Sequence, residues 1–456
     1  MSITITDMFC GAGGSSTGLL EIPGVTVKTA MNHWERAIET HSLNHPATDH
    51  VLADIQVTDP RYIASSDILW ASPECTNHSV AKGKRRITNQ PDIFGDSIAD
   101  EAAEKSRATM WDVPRFAEQH KYKIIITENV VDAAKWIMFD AWLMAMNSLG
   151  YEHHIVYLNS MHAQLGGMPA PQSRDRMYVM FWLKGSRKPD FDRLRPMAYC
   201  PTCDETVRAL QVFKKPNERW GRYRAQYNYR CPNAKCRNEI IEPAWLPASS
   251  AIDWSIRGQK IGERPRPLAE KTMARIKIGL EKYGAQRMAL DAVRSAPIIS
   301  AVDRQPFATQ TTSYTRSLLT PPGEHMMMEY YGNGVTHPVS KAIPTITTTD
   351  RFAMITTLRG TAPAQVANST KLTSEPFGTI TAGGTHHGLA EWTAADINEC
   401  EFRMIAPHEY MAGMAFPKDY IMTGNNREKV KQSGNSVTPP VSRDLGMIAV
   451  ESLIAA

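Results

Sequence analysis

An α/β fold with a doubly wound, mostly parallel sheet is predicted for residues 1–190, and three observations predict it. Short apolar runs alternate with longer stretches of helical period. The first run breaks into a glycine-rich turn, Cys10-Gly-Ala-Gly-Gly14. The runs end in polar or reactive residues, and open parallel sheets bind ligands outside the carboxyl ends of their strands.

The elements follow in order. Ile3–Phe9 alternates like a half-buried strand, and Ser15 or Ser16 is placed to cap the helix after the turn. Val25–Met31 reads as a strand, Trp34–Leu43 as a helix, and Val51–Asp54 and Asp67–Ala71 as short strands. Glu101–His120 has helical period, and Lys123–Val130 is an apolar strand ending in Glu128 and Asn129. Ala134–Leu149 is helical, and Glu152–Ser160 and Arg176–Leu183 are strands. Gly11–Gly14, Asp54, Cys75 and Glu128 thus fall at strand ends around one pocket. The turn lacks the G-x-G-x-x-G spacing, because position 16 is Ser, so a nucleoside-type cofactor suits it better than a pyrophosphate. Glu35 is placed for a ribose and Asp54 for an adenine edge, and each also reads as a solvated or capping acid.

Bulk properties exclude some classes. The chain has 456 residues and is 42% hydrophobic, enough for two or three domains with real cores. No apolar run is long enough to span a membrane, and the first residues show no basic head or cleavage site, so neither a membrane span nor a signal peptide is expected. Net charge is +4, but Lys184–Arg237 holds 14 Lys and Arg against 5 Asp and Glu. A basic island on a mildly acidic body suits a polyanion contact, or simply a solvated face.

Four of the seven cysteines form two knuckles, C-P-T-C at 200–203 and C-P-N-A-K-C at 231–236. Cys200, Cys203, Cys231 and Cys236 at that spacing fit a closed, structural zinc site, a zinc ribbon over residues 197–243. Disulfides in an exported protein, or unrelated turn cysteines, are the competing readings, and the missing export signal argues against the first. Between the knuckles, Trp220–Arg230 alternates aromatic and basic residues, which suits a ribbon lying along phosphates or a small aromatic core with Arg outward.

Five short motifs occur in a fixed order: D-M-F-C-G-A-G-G at 7–14, S-P-E-C at 72–75, E-N-V at 128–130, Q-S-R-D-R at 172–176 and G-N-S-V at 434–437. Together they resemble the DNA cytosine-5 methyltransferase family, over residues 1–190 and 396–456. The resemblance implies a Rossmann-like methyltransferase sheet with S-adenosylmethionine as cofactor. A zinc-ribbon insert, a β-rich target-recognition domain at 244–395 and a C-terminal return to the catalytic domain at 396–456 complete the expected chain. Double-stranded DNA is the implied partner. A monomer is expected, with no membrane association, in the cytoplasm of a bacterial or phage-infected cell and associated with the nucleoid. By the match, Phe9, Cys10, Ala12 and Gly14 would line the cofactor, with Pro73 beside it. Trp34 would stack on adenine, Asp54 and Ile55 would address its edge, and Asn435, Ser436 and Val437 would close over the methionine moiety. The acid that usually grips the ribose falls at His33, a departure that Glu35 could compensate.

The same match assigns chemistry. Cys75 would add to C6 of cytosine so that C5 becomes nucleophilic. Glu128 would hydrogen-bond N3, Arg174 would hold O2, and Arg176 would orient Glu128. The base would have to leave the duplex, and the loop Ser79–Arg86 would close over it. Glu74 stands where the family has Pro. It can point away, pair with a cation such as Arg174, or impair activity. Two alternatives follow: a tRNA cytosine-5 methyltransferase, and a catalytically impaired zinc-ribbon DNA-binding protein. Within 304–390 a loose threonine repeat at 308–312, 344–348 and 378–382 suggests a β-rich reader, with Arg316, Arg351 and His387 as candidate groove contacts or plain structural residues. Arg264–Tyr283 reads as an amphipathic helix.

Overall fold

The computed structural model describes residues 2–73, 109–270, 272–274, 276–277, 288–291, 298–301, 306–308, 316–320, 326–328, 336–338, 354–357, 387–390 and 397–454. Cys75, Glu74, the loop 79–86, Arg351 and most of the threonine repeat lie outside the described residues. The chain divides into two compact units. One comprises Met1–Ala170, Arg174–Trp245 and Met414–Ala456, the other Pro171–Ser173 and Leu246–Gly413.

The first unit is a seven-stranded sheet. Its strands are β1 (Ile3–Met8), β2 (Val25–Asn32), β3 (Asp49–Leu52), β4 (Ile68–Ala71), β5 (Ile124–Val130), β6 (Tyr151–Asn159) and β8 (Asp175–Leu183), with the two-residue β7 (Gln172–Ser173) belonging to the second unit. The order is β3-β2-β1-β4-β5-β8-β6. Only β8 runs against its neighbours, pairing antiparallel with both β5 and β6. The expected mostly parallel, doubly wound sheet is therefore present. Strand order reverses between β1 and β4, which makes their carboxyl ends the crevice where such sheets bind ligands.

Alternation along the strands explains the two faces. Ile5, Ile68, Ile124 and Trp182 stand in register across four strands. They pack with Leu19 of α1 (Gly14–Leu20) and with Val441, Leu445 and Ile448 of the C-terminal helix Pro439–Ile454. The offset residues Leu69, Ile125, Val179 and Phe181 bury against Phe116 and Trp142, which belong to α3 (Asp112–His120) and α4 (Phe139–Ser148). The remaining helix of this half, α2 (Glu35–Asn44), follows β2.

Residues 197–245 belong to the first unit. They form two hairpins, β9 (Met197–Cys200) with β10 (Glu205–Arg208), and β11 (Leu210–Phe213) with β12 (Tyr227–Arg230). Tyr223, Tyr227, Tyr229 and three of the cysteines join the core on the α3/α4 face.

The second unit carries a β-sheet in the order Gln259–Lys260, Glu401–Met404, Arg316–Thr320, Met288–Asp291, Ile298–Ala301, Met354–Thr357 and His387–Ala390. Arg316 and His387 both register against Thr357. Of the expected helix at 264–283, residues 270, 272–274 and 276–277 are helical among those described, and Ile276 is buried. After the short helix α5 (Pro407–Gly413), the chain re-enters the first unit through α6 (Asn426–Asn435) and α7 (Pro439–Ile454). Asn425 caps α6 in a capping box with Glu428.

Candidate active site

The glycine-rich turn leaves β1 in an unusual conformation. Phe9, Gly11 and Gly13 all have positive φ, at 62°, 53° and 87°. Left-handed backbone costs a residue with a Cβ about 1–2 kcal/mol, so Phe9 is held there by its surroundings. A Cβ on Gly11 would meet nothing within 4 Å among the described residues, so the turn presents bare backbone there. A Cβ on Gly14 would collide with the Val437 carbonyl oxygen, and one on Gly18 with that of Pro439. Those glycines let α1 lie directly against the segment Ser436–Pro439.

Ser15 and Ser16 do not cap α1, contrary to expectation. Its N-cap is Gly13, without a side-chain cap bond. Both serines instead donate to Asp7 Oδ2 at 2.6 Å, because a fully buried carboxylate competes better for them than the helix end does. Burial pushes the Asp7 carboxyl up to about 6. With the Ser16 proton committed to Asp7, His41 Nε2 must donate to Ser16 Oγ (2.9 Å). His41 Nδ1 then accepts from His50 Nε2 at 2.8 Å. Burial and the neighbouring His45 and His50 hold His41 well below its ordinary range. Tyr420, which sequence reading missed, donates its hydroxyl to the Ala12 carbonyl at 2.5 Å and pins the turn from the C-terminal side.

Other expected cofactor residues flank this crevice. Cys10 is buried, and burial raises its thiol well above the ordinary value. Trp34 is half-buried at the start of α2, with Lys431 Nζ 4.4 Å from its ring centroid. Asp54 is exposed and accepts the Gln56 amide, whereas Ile55 packs in the core and offers only its backbone to solvent-side groups such as Arg115. Asn435 is exposed, and Ser436 and Val437 are buried beside Gly14.

The remaining motifs meet through a chain of contacts. Asn129 Nδ2 lies 3.4 Å from the Pro73 carbonyl oxygen, which joins E-N-V to S-P-E-C. Arg176 Nε pairs with Glu128 Oε1 at 2.9 Å, both side chains nearly buried. Arg176 also donates to the Asp175 carbonyl oxygen (2.9 Å). Arg174 donates through both terminal nitrogens to the Gly434 carbonyl oxygen, each at 3.2 Å, and so reaches G-N-S-V. Residues from the start, middle and end of the chain therefore converge at the carboxyl ends of β1, β4 and β5. Cys75 follows Pro73 by two positions.

The four cysteines of the knuckles also converge. Their Sγ atoms all lie within 4.8 Å of one another, and Cys203 and Cys231 are 4.0 Å apart. Four thiolates at about 2.3 Å from one tetrahedral zinc stand roughly 3.8 Å apart, whereas a disulfide needs about 2.05 Å. The donor set and its spacing fit zinc.

A doubly wound sheet with a bare-backbone turn at its switch point, against which a C-terminal segment packs, is a Rossmann-like ligand-binding fold. The family model of C-5 cytosine-specific DNA methylases matches residues 3–230 and 291–448, and the chain belongs to that family. It is 29% identical over 180 residues to the Type II methyltransferase M.HgiBI of Herpetosiphon aurantiacus, covering 38% of this chain and 36% of that protein. It is 26% identical over 191 residues to M.HgiCII of the same organism, covering 41% and 38%. The chain thus matches little more than a third of the length of these curated relatives. Its fold is similar to that of the Entamoeba histolytica methyltransferase EhMeth, with a TM-score of 0.51, 13% identity and 99% of both chains covered. A mutant of Spodoptera frugiperda DNMT2 gives 0.50, 14% identity, 98% of this chain and 100% of that one. No helix among the described residues is long and apolar enough to cross a membrane.

Proposed function

We propose that this chain methylates C5 of cytosine in a specific duplex DNA sequence, using S-adenosylmethionine. The observation that carries the reading is the Glu128–Arg176 pair at the end of β5, joined through Asn129 to Pro73 and so to the strand end that leads to Cys75. Family membership and the likeness to Type II methyltransferases support DNA over tRNA.

The bound cofactor would supply an electrophilic sulfonium methyl group. Phe9–Gly14, Trp34 and Asp54 would hold its nucleoside end, with Pro73 and Asn435–Val437 around the methionine. The turn's open backbone at Gly11 and its close packing at Gly14 fit such a ligand. Cys75 would bond to C6 of the extruded cytosine, moving electron density toward N3 and O2 and making C5 nucleophilic. Glu128 would donate to N3, oriented by Arg176, and Arg174 would steady O2. C5 gains the methyl group and loses its proton to solvent, and the Sγ–C6 bond then breaks to free Cys75. The four knuckle cysteines would hold a structural zinc ion. The β-rich second unit would read sequence, with Arg316 and His387 among the candidates. The chain would act as a monomer in the cytoplasm.

The test is covalent trapping on duplex DNA containing 5-fluorocytosine, which stalls the reaction before proton loss. A cofactor-dependent adduct that vanishes in Cys75→Ser supports the reading. Binding without an adduct would favour the impaired DNA-binding alternative, and trapping on tRNA alone would favour the tRNA enzyme.

A further inference from the structure

The loop between β11 and β12 reaches across to the catalytic strand ends. Trp220 Nε1 donates to the Val131 carbonyl oxygen at 2.8 Å, three residues beyond Glu128. Lys135 Nζ lies 3.6 Å from the Trp220 ring centroid. Arg222 forms an ion pair with Asp132, the next residue of the same turn. The Tyr223 amide donates to Asp175 Oδ1 at 3.0 Å. Asp175 in turn gives its carbonyl oxygen to Arg176 (2.9 Å), the partner of Glu128.

These contacts land on two adjacent strand ends. Val130 and Arg176 are register partners, so the turn leaving β5 and the entry to β8 lie side by side. One short loop grips both. The loop is itself preset: Gly221 adopts φ 138°, Gln226 packs where a Cβ would stand, and Gln226 Oε1 accepts the Arg222 amide at 2.9 Å. The insert's tyrosines and cysteines bury themselves in the core and Trp220 packs against it, and these polar contacts come in addition to that packing. The Trp220 indole N–H, the Arg222 guanidinium and the Tyr223 amide are directed at the segments that carry Glu128 and Arg176.

We infer that Trp220 and Arg222 are positioning residues for the Glu128–Arg176 pair, acting through the turn that follows β5. The inference rests on the reading of that pair as catalytic. The insert then does more than stabilise the fold: it holds Arg176 at the separation that orients Glu128 toward N3. An ångström of misplacement costs a reaction of this kind up to about a hundredfold.

The experiment measures covalent trapping by the full chain on a several-kilobase duplex synthesised with 5-fluorodeoxycytidine triphosphate, which contains every short recognition sequence. Both the rate and the end-point amplitude are followed with saturating S-adenosylmethionine. Arg222→Ala should slow adduct formation by about tenfold or more while reaching the unsubstituted end point. Trp220→Phe keeps an aromatic face but loses the N–H and the second ring of the indole, and should slow it less. Arg222→Lys should restore most of the rate. A lowered amplitude with an unchanged rate per competent molecule would mean a merely structural role and overturn the inference, as would unchanged rates in all three variants. No adduct from the unsubstituted chain would instead overturn the reading beneath it.

Discussion

Arg174 places both terminal nitrogens on the carbonyl oxygen of Gly434, 260 residues further along the chain. Arg174 is only 3% exposed, so this forked bond ties the S-R-D-R segment to the loop that packs on the glycine-rich turn. Arg174→Ala should leave the Gly434 carbonyl short of its donors and lower unfolding free energy by about 1–3 kcal/mol. Because Asn435–Val437 follow directly, cofactor affinity should fall too, by about tenfold for each 1.4 kcal/mol transmitted. Calorimetric titration with S-adenosylhomocysteine measures this, and an unchanged dissociation constant would separate Arg174 from the cofactor site.

Gly14→Ala puts a methyl group into the Val437 carbonyl oxygen. The backbone there cannot yield without moving the start of α7, which packs on β1 and α1. Overpacking of this kind costs about 1–3 kcal/mol. A lower midpoint in urea and lost binding of S-adenosylhomocysteine are expected. Gly11→Ala is the control: its Cβ meets nothing within 4 Å, and only the positive φ opposes it.

Purified protein should carry one zinc per chain, measurable by plasma mass spectrometry. Cys200→Ser should remove it and lower the thermal midpoint, because binding to a site absent from the unfolded chain is folding free energy. A chelator should reproduce the midpoint shift. Metal-free protein with an unchanged midpoint would show that the thiols are only packed together.

His162 is buried between the rings of Tyr223 and Tyr229, edge-on to both, and neither ring nitrogen has a hydrogen-bond partner among the described residues. Burial drives it down to about 3 from an ordinary 6.5. Below about 6.5 the unfolded chain therefore takes up a proton that the folded chain refuses, so stability is lost as pH falls through that window. His162→Phe keeps a ring and removes both unpaired nitrogens. Its advantage over the unsubstituted chain should grow by up to about 1.4 kcal/mol per pH unit between roughly pH 6 and 4. Parallel pH profiles of the two chains would count against this account.

Much of the first unit was legible because its signals are local. Strands β1, β2, β4, β5, β6 and β8 start and end within about two residues of the expected runs, as apolar alternation and the breaks after Met8 and Val130 are backbone properties. Helix α3 begins at Asp112 among the described residues, and the helix expected from Ala134 begins at Phe139, after a short 3-10 turn over Val131–Lys135. Ser15 and Ser16 misled because capping is judged from neighbours in sequence, while the buried acceptor that claims them, Asp7, lies eight and nine residues back. Tyr420 left no signal, and the aromatic–basic alternation of Trp220–Arg230 gave no sign of where that loop's polar groups would go. Their partners Ala12, Val131, Asp132 and Asp175 are 48 to 408 residues away, and no periodicity marks a contact of that range.

The seating of α7 on α1, so close that only glycine fits at positions 14 and 18, carries a consequence for biosynthesis. The first helix emerges from the ribosome more than four hundred residues before the helix that covers it. At about 5–20 residues per second, the apolar face of β1 and α1 stays uncovered for roughly 20–80 s. Throughout that interval the nascent chain is exposed to chaperones and to self-association. On the proposed function, a chain able to hold its methyl donor would appear only after α7 has been translated.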